Sequence, residues 1–122
     1  MAPDRPGSSP DTLLPLKPVE TLILMMLAGQ DRHGYGLRQD ILEYTAGRIA
    51  LEAGNLYRHI RRLEGSGCLT ESGRRPARAD DERRIYYRLT PFGRRVLAAE
   101  MLRLRSLVRL AEERRIITPV RA

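Results

Sequence analysis

The chain has no tryptophan, one phenylalanine and one cysteine among its 122 residues. A single cysteine, Cys68, excludes an intramolecular disulfide and is typical of a reducing compartment, and its setting favours a small core residue. The longest apolar run, residues 22–28, is far shorter than the ~20 residues that cross a bilayer. The first residues do not have the basic and apolar regions of a signal peptide. These absences favour a soluble cytoplasmic protein with no membrane partner.

Residue patterns that support catalysis or metal binding are also missing. The carboxylates form no recognisable acid–base pair, the serines lie in no nucleophile elbow, and the glycines form no phosphate-binding loop. His33, His59 and Cys68 do not have the spacing of a zinc site. We therefore predict that the protein is not an enzyme and binds neither a metal nor a cofactor.

Cations, in contrast, are abundant. Lysine and arginine total 22 against 15 acidic residues, which gives a formal net charge of +7, and Lys17 is the only lysine. Such an excess is typical of proteins that bind a polyanion, for example nucleic acid or an anionic membrane surface. The length allows one domain plus a tail or a partner-facing surface.

Hydrophobic periodicity predicts three short helices after a flexible tail. Residues 1–15 are rich in proline, glycine and serine and are expected to be loosely held, although Leu13, Leu14 and Leu16 could dock as an arm. The predicted helices are about 18–28, 36–45 and 53–65. Glycines at their ends favour termination there.

After Gly67 the apolar period changes from 3.6 to 2, which predicts a two-stranded hairpin. Its strands are about 68–74 and 83–89, and its loop tip is 76–82. Alternation in the returning strand predicts which side chains face the core. Those expected inside are Ile85, Tyr87 and Leu89, and those expected outside are Arg84, Tyr86 and Arg88.

A long helix is predicted to begin at Thr90 and Pro91, which suit the N-cap and the first helical position. Apolar residues then recur at steps of four and three, as in a coiled coil. At ~37 Å this helix is longer than a three-helix domain can cover, so we expect it to pack on a second copy. The first helix is apolar nearly all round, so it too is expected to be buried against other surfaces on several sides. The predicted dimer interface is Leu22, Met25, Met26, Leu97, Met101, Leu104 and Val108. The methionines could instead line a ligand cavity there, but core packing is the simpler interpretation.

The third helix presents arginines opposite an apolar stripe formed by Leu56, Ile60 and Leu63. This arrangement fits a DNA major groove, and it also describes an ordinary solvated face. A basic hairpin directly after the helix favours DNA. Asn55 and Arg58 are then the candidates for contacts with base edges, because Asn and Arg pair with adenine and guanine.

Other residues are candidates for contacts with the DNA backbone. Arg61 and Arg62 flank Arg58 on the helix, and Tyr57 is either half-buried or donates its hydroxyl to a phosphate. The hairpin adds Arg74, Arg75, Arg78 and Arg84. Nearby acids, Asp80 and Asp81, could neutralise part of the charge of Arg84, whereas the other three have no such neighbours.

Three segments occur in a recognisable order. They are HGYGL at residues 33–37, GNLY at 54–57 with RLE at 62–64, and RIYYRLT at 84–90 followed by Gly93. With them, residues 16–110 resemble the PadR family of bacterial transcription regulators, and in particular its short branch with a single C-terminal helix. The resemblance implies a homodimeric repressor whose first and last helices form the dimer interface and whose third helix contacts an operator.

Two positions differ from that family's pattern. Members commonly have a threonine and a proline near the start of the third helix, where this chain has Asn55 and Arg58, so the resemblance implies no base preference. Some short members bind flat aromatic drugs through tryptophan, which this chain lacks.

The sequence therefore predicts a mainly α fold with a small β-hairpin: a winged helix-turn-helix followed by a long C-terminal dimerisation helix. The expected parts are a flexible tail (1–15), a DNA-binding winged helix domain (16–90), a dimerisation helix (91–115) and a second tail (116–122). The predicted function is a regulator, a repressor, that binds double-stranded DNA at a palindromic operator as a homodimer, with a small-molecule inducer as a possible effector. Two alternatives stay open: a module that docks an acidic protein through its basic wing, and a ligand sensor whose main site is the dimer pocket.

Overall fold

The computed structural model describes residues 9–73 and 84–119. Its regular elements are a 3₁₀ helix (Pro10–Leu13), α1 (Pro18–Gly29), β1 (Arg32–His33), α2 (Gly34–Tyr44), α3 (Ala53–Gly65), β2 (Leu69–Glu71), β3 (Tyr86–Leu89) and α4 (Pro91–Glu113). The mostly helical winged helix fold is thus confirmed, with α3 at its predicted bounds. None of the helices in the described chain combines the length and apolar content needed to cross a lipid bilayer.

The sheet has three antiparallel strands in the order β1-β3-β2 rather than the two that were predicted. Arg32 pairs with Tyr87 and His33 with Tyr86, so β1 joins the edge of the wing directly before α2 begins. On the other side of β3, Leu69 pairs with Leu89. A strand of two residues is too short to show alternation, which is why the sequence did not predict it.

The predicted alternation in the returning strand is only partly right. Tyr87 is buried and Arg88 exposed, as expected, but Ile85 is 44% exposed. The reason is that pairing begins at Tyr86, so Ile85 precedes the strand and alternation does not apply to it. Tyr86 is half-buried because its ring contacts the His33 ring edge-on, with 5.0 Å between centroids.

The hydrophobic core lies between α1, α2, α3, the sheet and the first turns of α4. Its fully buried members include Ile23, Leu24, Leu37, Ile41, Leu56, Ile60, Leu63, Cys68, Leu69 and Val96. The start of α4 is fixed by Thr90, whose hydroxyl accepts from the Gly93 N–H and donates to the Gly67 carbonyl. A Cβ on Gly93 would lie 1.9 Å from the Cys68 carbonyl oxygen, so only glycine allows this close approach.

The chain from residue 9 to residue 17 forms a docked arm, which corrects our prediction of a flexible tail for residues 9–15. Leu13, Leu14 and Leu16 pack against the core, as the alternative proposed. The 3₁₀ helix contacts α4, and the Leu16 backbone N–H donates to the buried carboxylate of Glu100. Residues 1–8 lie outside the described chain.

Candidate nucleic-acid interface

One face of α3 is buried and the opposite face is polar and exposed, as the helical wheel predicts. Leu56, Ile60 and Leu63 are at most 2% exposed and hold the helix on the core. The exposed side chains are Asn55, Tyr57, Arg58, Arg61 and Arg62. Burying three aliphatic side chains contributes about 1.5–3 kcal/mol each, so the helix is held firmly while its cations stay in solvent.

Asn55 and Arg58, the two candidates for base contacts, touch each other on the exposed face. The Arg58 guanidinium Nη2 donates a hydrogen bond to the Asn55 amide Oδ1. This contact directs Arg58 towards the N-terminal end of α3, which is the end that reaches base edges in helix-turn-helix proteins. The pair therefore presents an amide and a guanidinium side by side.

Tyr57 lies between α3 and the first turn of α2. It is 37% exposed, and a Cβ on Gly34 would lie 2.4 Å from its hydroxyl oxygen. Glycine at position 34 thus makes room for the tyrosine. The hydroxyl lies at the junction of the two helices, and its contact with a DNA phosphate stays a prediction.

Arg62 is partly engaged by an acid that the sequence did not connect with it. Glu20 on α1 is 3% exposed. Its carboxylate Oε2 lies 2.8 Å from Nδ1 of His59 and 3.7 Å from Nε of Arg62. Because Glu20 neutralises part of the charge of Arg62, Arg61 is the stronger candidate for a phosphate contact. Among the described residues, no hydrogen bond or ion pair engages the Arg61 side chain.

The base of the wing approaches the start of α2. Arg84 Nη1 lies 2.9 Å from Nε2 of His33, and the guanidinium carbon lies 5.4 Å from the centre of the Tyr35 ring. These side chains, with Tyr57 from α3, line a surface cavity of 320 Å³. The structure therefore brings Arg84 and Tyr57 to one place. The other predicted hairpin cations, Arg74, Arg75 and Arg78, lie outside the described residues, as do Asp80 and Asp81.

Burial controls the ionisation of two side chains beneath this surface. It raises the pKa of Tyr87 to about 12, with further increases from Tyr57 and nearby glutamates and a small decrease from Arg61. It also raises the pKa of the Cys68 thiol. Both groups are therefore neutral at physiological pH, and the charge of this surface comes from its arginines.

The sequence model of the "Transcriptional regulator PadR-like family" matches residues 23–99, which is more than half of the chain. The chain belongs to the PadR-like family of transcriptional regulators. None of the curated protein sequences compared with the chain matches it.

Solved structures of similar fold agree with this PadR-like assignment. A transcriptional regulator from Clostridium thermocellum is 25% identical, with a TM-score of 0.65 over 78% of this chain and 87% of that one. A PadR family transcription regulator from Clostridium difficile is 22% identical, with a TM-score of 0.67 over 78% and 95%. Bacillus subtilis PadR, solved with operator DNA, is 19% identical, with a TM-score of 0.59 over 70% of this chain and 47% of that one.

The surface that we predicted for dimerisation of this PadR-like regulator is partly internal. Leu97 is 6% exposed and belongs to the core of its own chain, so it is not available to a second copy. The partly buried members are Leu22, Met26, Met101 and Leu104. Met25 and Val108 are exposed, at 40% and 44%. The second half of α4 exposes further apolar side chains beside the predicted interface residues, namely Leu102, Leu107 and Leu110.

Sequence reasoning did not assign three residues that shape this PadR-like surface. His33 and Tyr35 contact Arg84, and both lie in the HGYGL segment that carried the family resemblance, so a signal was present. Nothing in the sequence indicated that Glu20 contacts α3. An acid in the first turn of α1 is already explained by its favourable interaction with the helix dipole. His33, His59 and Cys68 take part in separate contacts, with Arg84, Glu20 and Ser66 respectively.

Proposed function

We propose that this PadR-like protein is a repressor that binds a palindromic operator as a homodimer, with α3 in the major groove. One observation supports this most: Tyr57 of α3 and Arg84 of the wing line a single surface cavity, so the wing adjoins the helix that exposes Arg58 and Arg61. Cations on two adjacent elements can contact phosphates of one duplex, and such contacts supply much of the affinity of DNA-binding proteins. As a transcription regulator, the protein would act in the cytoplasm.

Each residue has a proposed role in the complex. Asn55 and Arg58 contact base edges, because both lie exposed in the first turns of α3. Arg61 and Arg84 contact phosphates, and Arg62 contributes less because Glu20 engages it. Tyr57 donates its hydroxyl to the backbone from the junction of α2 and α3. We keep Arg74, Arg75 and Arg78 as proposed backbone contacts.

The proposed homodimer is supported by α4. Met101, Leu104, Val108 and Ala111 follow one another at steps of three and four on one face of α4, and none of them is fully buried within one chain. An apolar stripe on a helix of 23 residues is costly in water, and a second α4 packed in a coiled coil would cover it. Two-fold symmetry then places two copies of α3 in successive major grooves, ~34 Å apart, and requires a palindromic site.

Selection of bound sequences from a random DNA pool tests this proposal. We expect enrichment of a site with two-fold symmetry, whose affinity falls with salt at a log–log slope near −7 if the dimer contacts about eight phosphates. A protein that docks an acidic partner instead would enrich no sequence. A single asymmetric half-site would contradict the homodimer while preserving DNA binding.

Release by a small-molecule inducer is the remaining part of the proposal. A cavity of 680 Å³ lies between the end of α1, the sheet and the start of α4, and its lining includes Leu27, Gln30 and Arg94. Its size falls in the range of natural ligand sites. Titration of the purified protein with aromatic compounds, followed by tyrosine fluorescence, tests for a ligand. A compound that changes the fluorescence without releasing DNA would be a ligand but not an inducer.

A further inference from the structure

The two ring nitrogens of His33 both face hydrogen-bond donors. Nδ1 lies 2.9 Å from the backbone nitrogen of Gly36, where it caps α2, and Nε2 lies 2.9 Å from Nη1 of Arg84. A backbone N–H and a guanidinium can only donate. A neutral imidazole has one acceptor nitrogen and one N–H, so His33 cannot accept both bonds at once. Each bond requires the opposite tautomer.

In the protein without DNA, the bond to Arg84 should determine the tautomer. A hydrogen bond from a charged guanidinium is roughly twice as strong as one from a neutral backbone N–H. His33 is 9% exposed, and its ring borders the surface cavity at the Arg84 side, so water reaches Nε2 only when Arg84 leaves. The proton is therefore expected on Nδ1, with Nε2 accepting from Arg84 and the cap of α2 weakened.

We propose that His33 is a positioning residue that holds Arg84 in the free protein and releases it to a DNA phosphate at the cavity lined by Tyr35, Tyr57 and Arg84. This inference rests on the proposed function. When Arg84 moves to the phosphate, Nε2 takes a proton from water and Nδ1 returns one to water, so the net charge of the ring and the number of protons are unchanged. Nδ1 then accepts the Gly36 N–H, and the cap of α2 is restored.

The surroundings of Arg84 suit such a transfer. The Tyr35 ring lies 5.4 Å below the guanidinium and can support it in both positions. The cavity beside it has a volume of 320 Å³, which is enough for a phosphate group. Because the His33 ring caps α2, a DNA contact at the wing that restores this cap strengthens the helix that packs against α3.

The tautomer of His33 can be read by NMR from long-range ¹H–¹⁵N correlations of protein labelled with ¹⁵N-histidine. The chain has two histidines, so the spectrum is simple. His59 is the internal control, because its Nδ1 donates to the Glu20 carboxylate and should keep its proton in every state. The measurement is made near pH 8, where histidines are ordinarily neutral, with and without a mixed-sequence duplex of about 30 base pairs.

We expect His33 to carry its proton on Nδ1 in the free protein and on Nε2 with the duplex, while His59 does not change. In the Arg84→Ala variant, His33 should carry its proton on Nε2 even without DNA. Arg48→Ala, which removes an exposed arginine after α2, should behave like the wild type.

Two results would overturn the role of His33: the Nε2–H form in both states of the wild type, or an Arg84→Ala spectrum that matches the wild type. Fluorescence anisotropy of the duplex on the same samples separates this inference from the proposed function. Binding with no change of tautomer refutes only the role of His33, and the absence of any binding refutes both.

Discussion

At the scale of single residues, Glu20 links α1 to α3 through two side chains that lie about forty positions further along the chain. A buried carboxylate is costly unless charged or hydrogen-bonded groups surround it. Here His59 lies at 2.8 Å and Arg62 at 3.7 Å. The contact fixes α3 against α1 one and two turns after Asn55, which helps to keep the exposed face in one orientation.

Replacing Glu20 with glutamine should destabilise the fold by about 1–3 kcal/mol, because the amide keeps the size of the side chain but loses its charge. Urea unfolding followed by circular dichroism measures the change. The matched control is Glu43→Gln on the exposed surface of α2, which should stay within about 0.5 kcal/mol of the wild type. Equal effects of the two substitutions would contradict a structural role for the Glu20 contact.

Glu100 makes stability depend on pH. Arg103 donates hydrogen bonds to both of its carboxylate oxygens, at 2.7 and 2.8 Å, and these bonds hold its pKa below the usual range, although burial opposes them. A lowered folded pKa stabilises the fold above the ordinary glutamate pKa of about 4.3. That contribution is lost as the pH falls through the folded value.

We therefore expect Glu100→Gln to be less stable than the wild type at pH 7 and to lose less stability on further acidification. Thermal unfolding midpoints measured from pH 7 down to about pH 3 test both parts of this prediction. The two midpoints should approach each other at the acid end. Parallel curves would show that Glu100 does not titrate with folding.

At the scale of elements, the sequence predicted what periodicity can show and missed what depends on distant partners. Three aliphatic side chains at helical spacing placed α3 correctly, and Thr90 with Pro91 placed the start of α4. The strand β1 was missed because two residues carry no period. Residues 9–15 were expected to be loose because their composition resembles a linker, and contacts with α4 and the core hold them in place.

The sequence predicted which residues of the candidate site are exposed, but it did not predict the contacts that these residues make. The exposed positions of Asn55, Arg58 and Arg61 follow from the helical wheel. The engagement of Arg62 by Glu20 and the approach of Arg84 to His33 join residues that are 42 and 51 positions apart. Spacing along the chain contains no information about such pairs, since tertiary packing alone brings them together.

The apolar stripe of α4 formed by Met101, Leu104, Val108 and Ala111 gives a test of the proposed interface. Val108 is 44% exposed within one chain, so Val108→Glu should leave the protomer folded but place a charge in the proposed interface. We expect the dissociation constant of the dimer to rise at least tenfold, because a buried unpaired charge costs several kcal/mol. Analytical ultracentrifugation measures the dissociation constant.

The control for that substitution is Ser106→Glu, which adds the same charge two positions earlier. Residues two apart on a helix point in nearly opposite directions, so this glutamate should remain in solvent. Dimerisation should then match the wild type. If both variants dissociate equally, net charge and not the stripe controls association.

At the scale of the whole molecule, affinity and discrimination should depend on different residues of one surface. Arg58 lies beside Asn55 in the first turns of α3, whereas Arg61 lies a turn further along on the exposed face. Arg58→Ala should therefore weaken binding to the selected site by about 10–100-fold, so that the affinity for this site approaches the affinity for a scrambled duplex. The reason is that a bidentate base contact contributes about 1–3 kcal/mol.

Arg61→Ala should weaken binding to both duplexes about equally and reduce the salt slope by about two, because each protomer loses one phosphate contact. Anisotropy titrations on both duplexes over a range of salt concentrations separate the two roles. Uniform loss for both variants would move base recognition away from Arg58 and make α3 an electrostatic contact only.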